Sequence, residues 1–208
     1  MDAVKTMIPL IKGDLLEVGC GTQPYRSLFT GLNSYTGVDI ESSCHELPKE
    51  VTLYDGKTLP FVPYSFDWVM STEVFEHVRH PDILLQSIFN VLRSGGGLFM
   101  TVPFLAGVHE PPNDFRRWTI YGLEEELRKA GFEKVQVCPL GNWHIAMASF
   151  LKLYISHVQF PWWTRFWLPR LTWIISNIVS LIPYPCSDNM CVGYMAIAYK
   201  PNELNISS

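Results

Sequence analysis

Residues 15–25 read LLEVGCGTQPY. A short apolar run reaches an acid at Glu17, passes two glycines, Gly19 and Gly21, and meets a proline at Pro24. The apolar run has the pattern of a strand buried on both faces of a parallel sheet. Glycine takes positive φ at little cost and lets a ligand approach the main chain closely. The strand therefore breaks into a tight turn, and Pro24 suits the first turn of a following helix. A dinucleotide-binding turn would read G-x-G-x-x-G, and Pro24 occupies its third glycine position. A pyrophosphate seated on a helix N-terminus is a poor match for this turn.

The same pattern recurs outward. YTGVDI (35–40), EVTLYD (50–55), FDWVMS (66–71), GLFMTVP (97–103), KVQVCPL (134–140) and CVGYMAIAYK (191–200) read as six further strands. PDILLQSIFNVLR, opened by Pro81, carries apolar residues at helical spacing, with the glycines 95–97 as its stop. Thr119 caps a second helix whose inner face holds Leu123 and Leu127 and whose stop is Gly131. Alternating strands and helices predict an α/β fold, a parallel sheet with helices on its faces. An apolar helical insertion, 143–185, stands before the last strand, and the 208 residues form a single domain.

The ligand-facing residues fall at strand ends, where open α/β sheets bind. Asp39 can accept both hydroxyls of a ribose, Asp55 can accept from an exocyclic adenine amine, and Glu73 follows the fourth strand. His77 and His80 stand as H-x-x-H, with no carboxylate or third histidine to complete a ligand set, so no metal is expected. Glu76 and His77 read as loop-fixing residues.

In LLEVGCGT, YTGVDI, LPF, SFDWVMSTEVFEHV and LRSGGGLFMTVP, the chain resembles a class I S-adenosylmethionine-dependent methyltransferase of the small-molecule (type 11-like) kind. The resemblance covers roughly 15–135 and the closing strand. It implies a Rossmann-like, seven-stranded, mostly parallel sheet with an antiparallel last strand, and S-adenosyl-L-methionine as cofactor. Glu17, Gly19 and Gly21 would shape the cofactor loop, Asp39 would hold the ribose, Asp55 with Gly56 would sit by the adenine, and Glu73 would face the methionine moiety; Cys20 and Ile40 are placed with the cofactor-binding residues. Gln23-Pro24 departs from relatives that carry another glycine, which a phosphate-free cofactor tolerates.

PFLAGVHEPPNDFRRWT (103–119) hangs after the fifth strand, and loops of this length in compact domains are usually functional. It is similar to an H-E-x-P-x-D-F-x-R-x-T stretch of a methyltransferase subgroup associated with bacterial surface-polysaccharide clusters. Methyl transfer from a sulfonium needs the acceptor positioned and, for a hydroxyl, its proton removed. His109 is the first candidate base and Glu110 the second. Arg116 or Arg117 could clamp an anionic group of the substrate. Asp114 is read either as a substrate contact or as an ion-pair partner of an arginine, and His144 is placed with the substrate residues.

The net charge of −4 gives no electrostatic case for a nucleic-acid partner. Hydrophobic residues make up 48% of the chain and charged ones only 17%, against roughly 25% in soluble domains. Much of the excess sits in 143–185, where LTWIISNIVSLI is too short to span a bilayer, which takes about 20 residues. Two readings stay open for this segment: an interfacial hairpin with Trp and Arg at headgroup level, or a homodimer surface or substrate lid. The first suits a lipid-linked acceptor; the acceptor is expected to be a small molecule or lipid-linked. The N-terminus does not read as a signal peptide, and five cysteines without paired spacing suggest free thiols. The expected location is the cytoplasm, with peripheral contact at the inner face of the membrane under the first reading. Asn205-Ile206-Ser207 would be a glycosylation sequon only in a secreted chain.

Overall fold

The computed structural model describes residues 2–43, 46–157, 161, 164, 167–181 and 190–202. Cys44, Arg165, Cys186 and the 205–207 sequon lie outside the described residues. Helix α1 (Asp2–Met7) leads to strand β1 (Asp14–Val18), a single 3-10 turn (Arg26–Leu28), β2 (Ser34–Ile40), β3 (Thr52–Tyr54) and β4 (Phe66–Thr72). Then come α2 (Pro81–Val91), β5 (Leu92–Pro103), α3 (Ile120–Lys129), β6 (Glu133–Leu140), α4 (Trp143–His157), α5 (Leu168–Ser180) and β7 (Gly193–Tyr199).

The strands form one sheet in the order β3-β2-β1-β4-β5-β7-β6. Pairs from β3 to β5 are parallel, and β7 runs antiparallel between β5 and β6. The sheet is the one the sequence predicts. Strand order reverses between β1 and β4, which places a ligand crevice at their carboxyl ends.

Alternate residues of the central strands feed two cores. Leu16, Val18, Val69 and Met100 pack with Leu84, Leu85 and Ile88 of α2 and Leu123 and Leu127 of α3. Leu15, Trp68, Met70 and Phe99 pack on the other face with Phe29 and with Val4, Met7 and Ile11. Burial on both faces explains why these strands read as continuous apolar runs. Helix α1 escapes a sequence reading because a six-residue helix has no stability of its own. It exists because Val4 and Met7 are buried against the sheet.

Three local expectations change. Pro24 does not open an α-helix: only the 3-10 turn forms, because Thr30, Gly31 and Asn33 are poor helix formers and Phe29 turns into the core. The helix from Pro81 ends at Val91, before the glycines, which lie inside β5 beside a register shift against β4. Lys200 supplies the stop: its buried ammonium donates to the Phe89 and Leu92 carbonyls at 2.7 and 2.8 Å. A cation there satisfies orphan carbonyls of the last turn. Thr119 does cap α3, accepting from the Gly122 amide at 3.1 Å.

Helices α4 and α5 pack on each other between β6 and β7. The apolar face expected of α4 points outward: Met147, Phe150, Leu151 and Tyr154 are exposed, whereas Ala146 and Ala148 are buried. Trp173, Ile174 and Ile178 of α5 are exposed as well. Thr172 turns inward and donates to the Leu168 carbonyl at 2.9 Å. No helix among the described residues is long and apolar enough to cross a membrane.

Candidate active site

The turn after β1 is built from its glycines outward. Gly19 has φ +69, and a Cβ there would lie 2.3 Å from Cγ2 of Val74, so no larger residue fits without displacement. Its amide donates to the Val38 carbonyl at 2.8 Å, which seats the turn on β2. The Gly21 amide donates to Asp39 Oδ2 and the Ile40 amide to Asp39 Oδ1, both at 2.7 Å. Asp39 is only 6% exposed yet faces the crevice. Each of its oxygens keeps a further lone pair for a ligand hydroxyl.

Asp39 and Ile40 open onto a cleft of about 990 Å³ at the carboxyl ends of β1 to β4. Gly19, Asp55, Gly56 and Glu73 line it too, with Tyr54 and Val74 as walls. Asp55 is held by the Lys57 and Thr58 amides at 2.8 and 2.7 Å, and these bonds depress its carboxyl pKa. Glu73 takes φ +52 directly after β4, a conformation that non-glycine residues keep mainly at functional turns. The lining carries five carboxylates (Asp39, Glu41, Asp55, Glu73, Glu110) against two non-histidine cations, Lys57 and Arg79. That balance favours a cationic ligand over a phosphate-bearing one.

The remaining loop residues lie beneath the cleft. Gly21 does not line it and acts through its bond to Asp39. Glu17 is 1% exposed and accepts a short hydrogen bond from the Tyr35 hydroxyl. Burial pushes its carboxyl up to about 7. Cys20 is buried, and desolvation pushes its thiol up to about 12, so it stays protonated. Cys20 and Cys138 are free thiols.

The loop 104–119 divides in two. Arg117 forms a two-pronged ion pair with Asp114, with Nη2 to Oδ2 at 2.8 Å. It also donates to the Ala106, Gly107 and Arg116 carbonyls. Asp114 in turn accepts from the His109 amide at 2.9 Å, and the arginine holds its carboxyl far below the usual range. These two residues clasp the loop and do not line the cleft, so the ion-pair reading of Asp114 is the one the coordinates follow. Arg116 donates to the Arg79 carbonyl and stacks over Trp118, also off the cleft. His144, in the first turn of α4, does not line it either. Glu110 does, with Asn113 and Phe115.

Sequence reasoning passed over Arg79 and Phe115 as site residues. Arg79 lines the cleft and lies over the Phe115 ring at 4.7 Å. Its position just beyond STEVFEHV was the available signal. The fold also brings His109, distant in sequence, to the adjacent pair Glu76 and His77. His77 Nε2 lies 3.6 Å from Glu76 Oε1, and His109 Nε2 lies 3.8 Å from the same oxygen. The two rings meet edge to face at 4.8 Å. Glu76 is completely buried, and burial pushes its carboxyl up to about 8.

Residues 16–100 match the family described as a methyltransferase domain. No curated protein matches the chain. Among solved structures, the [4+2]-cyclase SpnF shares 20% identity at TM-score 0.63, over 97% of this chain and 82% of its own. Phosphoethanolamine N-methyltransferase 2 of Haemonchus contortus, solved with phosphomonomethylethanolamine and S-adenosylhomocysteine, shares 20% at TM-score 0.59. There the alignment covers 97% of this chain and 52% of that one. An S-adenosylmethionine-dependent methyltransferase from Archaeoglobus fulgidus shares 15% at TM-score 0.56, over 96% of this chain and 94% of its own. At these identities the likeness is one of fold.

Proposed function

We propose that this chain, an S-adenosylmethionine-dependent methyltransferase by its matched domain and its fold, passes the methyl group to a sugar hydroxyl of a small or lipid-linked acceptor, in surface-glycan biosynthesis. The observation that carries the donor half is the acidic cleft: Asp39, Asp55 and Glu73 come from the ends of three successive strands and share one cavity. In this reading Asp39 binds the ribose hydroxyls, Asp55 and Gly56 the adenine, Ile40 and Tyr54 wall the base, and Gly19 with Glu73 faces the methionine end. Glu17, beneath the turn, ties β1 to β2 by accepting from the Tyr35 hydroxyl. A sulfonium with an ammonium group suits a cleft with this excess of carboxylates.

The acceptor half rests on the second loop. Of the two candidate bases, Glu110 lines the cleft and His109 stands behind it with its side chain 40% exposed. Glu110 is therefore the better placed proton acceptor. Arg79 and Lys57, rather than Arg116 or Arg117, are the cations that line the cleft, and Arg79 can offer an anionic acceptor group a two-pronged contact. Asp114 and Arg117 support the site by holding the loop that carries both bases. The exposed apolar helices α4 and α5 favour an acceptor with a lipid anchor, presented by a membrane surface.

A methyl-labelled cofactor assay against cell extract, split into lipid and aqueous fractions, tests this reading. Label in the lipid phase that mild acid releases as a methylated sugar is the expected result. Label that stays in the lipid after acid would favour methylation of a quinone or other lipid. A fold neighbour named for a cycloaddition shows that this architecture hosts other chemistry. Cofactor binding with no label transfer to either fraction would favour a binding module without catalysis.

A further inference from the structure

Three electron-pair donors converge beside the cleft. Glu76 is completely buried, and neither carboxylate oxygen has a hydrogen-bond partner among the described residues. His77 Nδ1 lies 2.8 Å from the Asn113 carbonyl, and His109 Nδ1 lies 3.1 Å from the Gly107 carbonyl. A carbonyl oxygen only accepts, so each Nδ1 carries the proton and each neutral ring keeps its lone pair on Nε2. Those Nε2 atoms lie 3.6 and 3.8 Å from Glu76 Oε1, beyond hydrogen-bond range. The three donor atoms all lie within 4.8 Å of one another. Ligands held at about 2.1 Å from a common cation stand roughly 3–4 Å apart, so small shifts would close the set. Imidazoles anchored through the far nitrogen on backbone carbonyls are the usual outer support of metal-bound histidine. No other such group of three occurs among the described residues.

We propose that Glu76, His77 and His109 form a divalent transition-metal site that holds the acceptor hydroxyl for methyl transfer; this rests on the methyl-transfer reading above. Two imidazoles and one carboxylate suit manganese, iron, cobalt or zinc better than magnesium or calcium. Three protein ligands leave positions open for a substrate oxygen. His77 lines the cleft, which sets the group of three beside the space assigned to the methyl donor. The cation withdraws electron density from the acceptor oxygen, whose proton passes to the base assigned above. An oxygen lone pair then forms the new C–O bond as the C–S bond breaks, and that bond's electrons remain on sulfur. The products are a methyl ether and the neutral thioether S-adenosylhomocysteine, with no change in the cation's oxidation state.

The test uses the untagged full chain, stripped with a chelator and titrated with Co²⁺, followed by visible absorption and calorimetry. The same preparation is titrated with S-adenosylhomocysteine. One equivalent of Co²⁺ should bind with histidine-ligand absorption bands. Glu76→Gln and His109→Ala should each weaken Co²⁺ binding at least ~10-fold while S-adenosylhomocysteine still binds. Retained nucleoside binding certifies that a variant is folded. His109→Ala, in an exposed loop, serves alone if the buried substitution does not fold. Cofactor binding with Co²⁺ affinity equal in wild type and His109→Ala would overturn the metal site and leave methyl transfer standing. Site-dependent Co²⁺ binding without S-adenosylhomocysteine binding would do the reverse, and failure of both would remove both.

Discussion

Asp39 holds the turn after β1 and lines the cleft with the same carboxylate. Its oxygens accept from Gly21 and Ile40 while the side chain lines the cleft. Asp39→Ala removes a charged acceptor from both. We expect S-adenosylhomocysteine affinity to fall by roughly 10- to 100-fold, the equivalent of about 1.5–3 kcal/mol for hydrogen bonds to a charged group. Calorimetric titration of the two proteins measures this, and unchanged affinity would remove Asp39 from the site. Glu17 illustrates the opposite case, an acid whose carboxyl is buried and neutral. Its folded pKa, raised to about 7, lies above the ordinary 4.5. The stability this group lends is intact below pH 4.5 and drains away as pH climbs toward 7, because the unfolded chain ionises first. Glu17→Gln should flatten this slope and raise stability at pH 8 by up to roughly 3 kcal/mol relative to wild type. Urea unfolding of both proteins at several pH values, without cofactor, reads the difference. Asp39, Asp55 and Glu73 were legible because an acid just past a buried strand is a local pattern. Arg79 was not, since nothing in its neighbourhood says that it shares a cleft with Asp39.

At the scale of elements, the strands announced themselves through apolar runs, and α2 and α3 through their 3.6-residue spacing. Boundaries needed contacts from afar: Lys200, far along the chain, stops α2. The loop 104–119 looked functional by its length and polarity. Its interior division, with Asp114 and Arg117 as a clasp and Glu110 at the cleft, emerges only from the folded backbone. Helices α4 and α5 were expected as an apolar insertion, and their exposed Met147, Phe150, Trp173 and Ile178 now define a surface. So many large apolar groups exposed on two helices that pack on each other suit an interaction face. If that face meets lipid, the protein will float with anionic liposomes, and the double substitution Trp173→Ser/Ile178→Ser will lower the floated fraction severalfold while leaving cofactor affinity unchanged. Exposed substitutions of this kind usually alter stability by within about 0.5 kcal/mol, so loss of fold would not account for the change. Wild-type protein that stays at the bottom of the gradient would assign the face to a partner subunit or to the substrate.

For the molecule as a whole, cofactor binding and folding are linked through the cleft. Its walls come from β1 to β4 and from the loop after β5, so a ligand that fills it ties together segments that unfold apart. S-adenosylhomocysteine at a hundred times its Kd should stabilise the fold by about 2.7 kcal/mol. For a domain of this size that is a rise in Tm of roughly 5–10 °C, measurable by calorimetry. A nucleotide carrying phosphates, such as NAD, should give no comparable shift, because the cleft is dominated by carboxylates. By itself the sequence determined the strands of the layered sheet, the turn after β1 and the acids at strand ends. Each of these follows from short-range rules: burial on two faces, helical spacing, and glycine where a chain turns sharply. Tertiary structure alone decided that Glu76 and His77 meet His109, because β4 and β5 lie side by side and release their loops at the same edge. It also decided that Asp114 serves Arg117 and that the apolar face of α4 looks outward. Those outcomes depend on which elements are neighbours in space, and residue order along the chain does not carry that information.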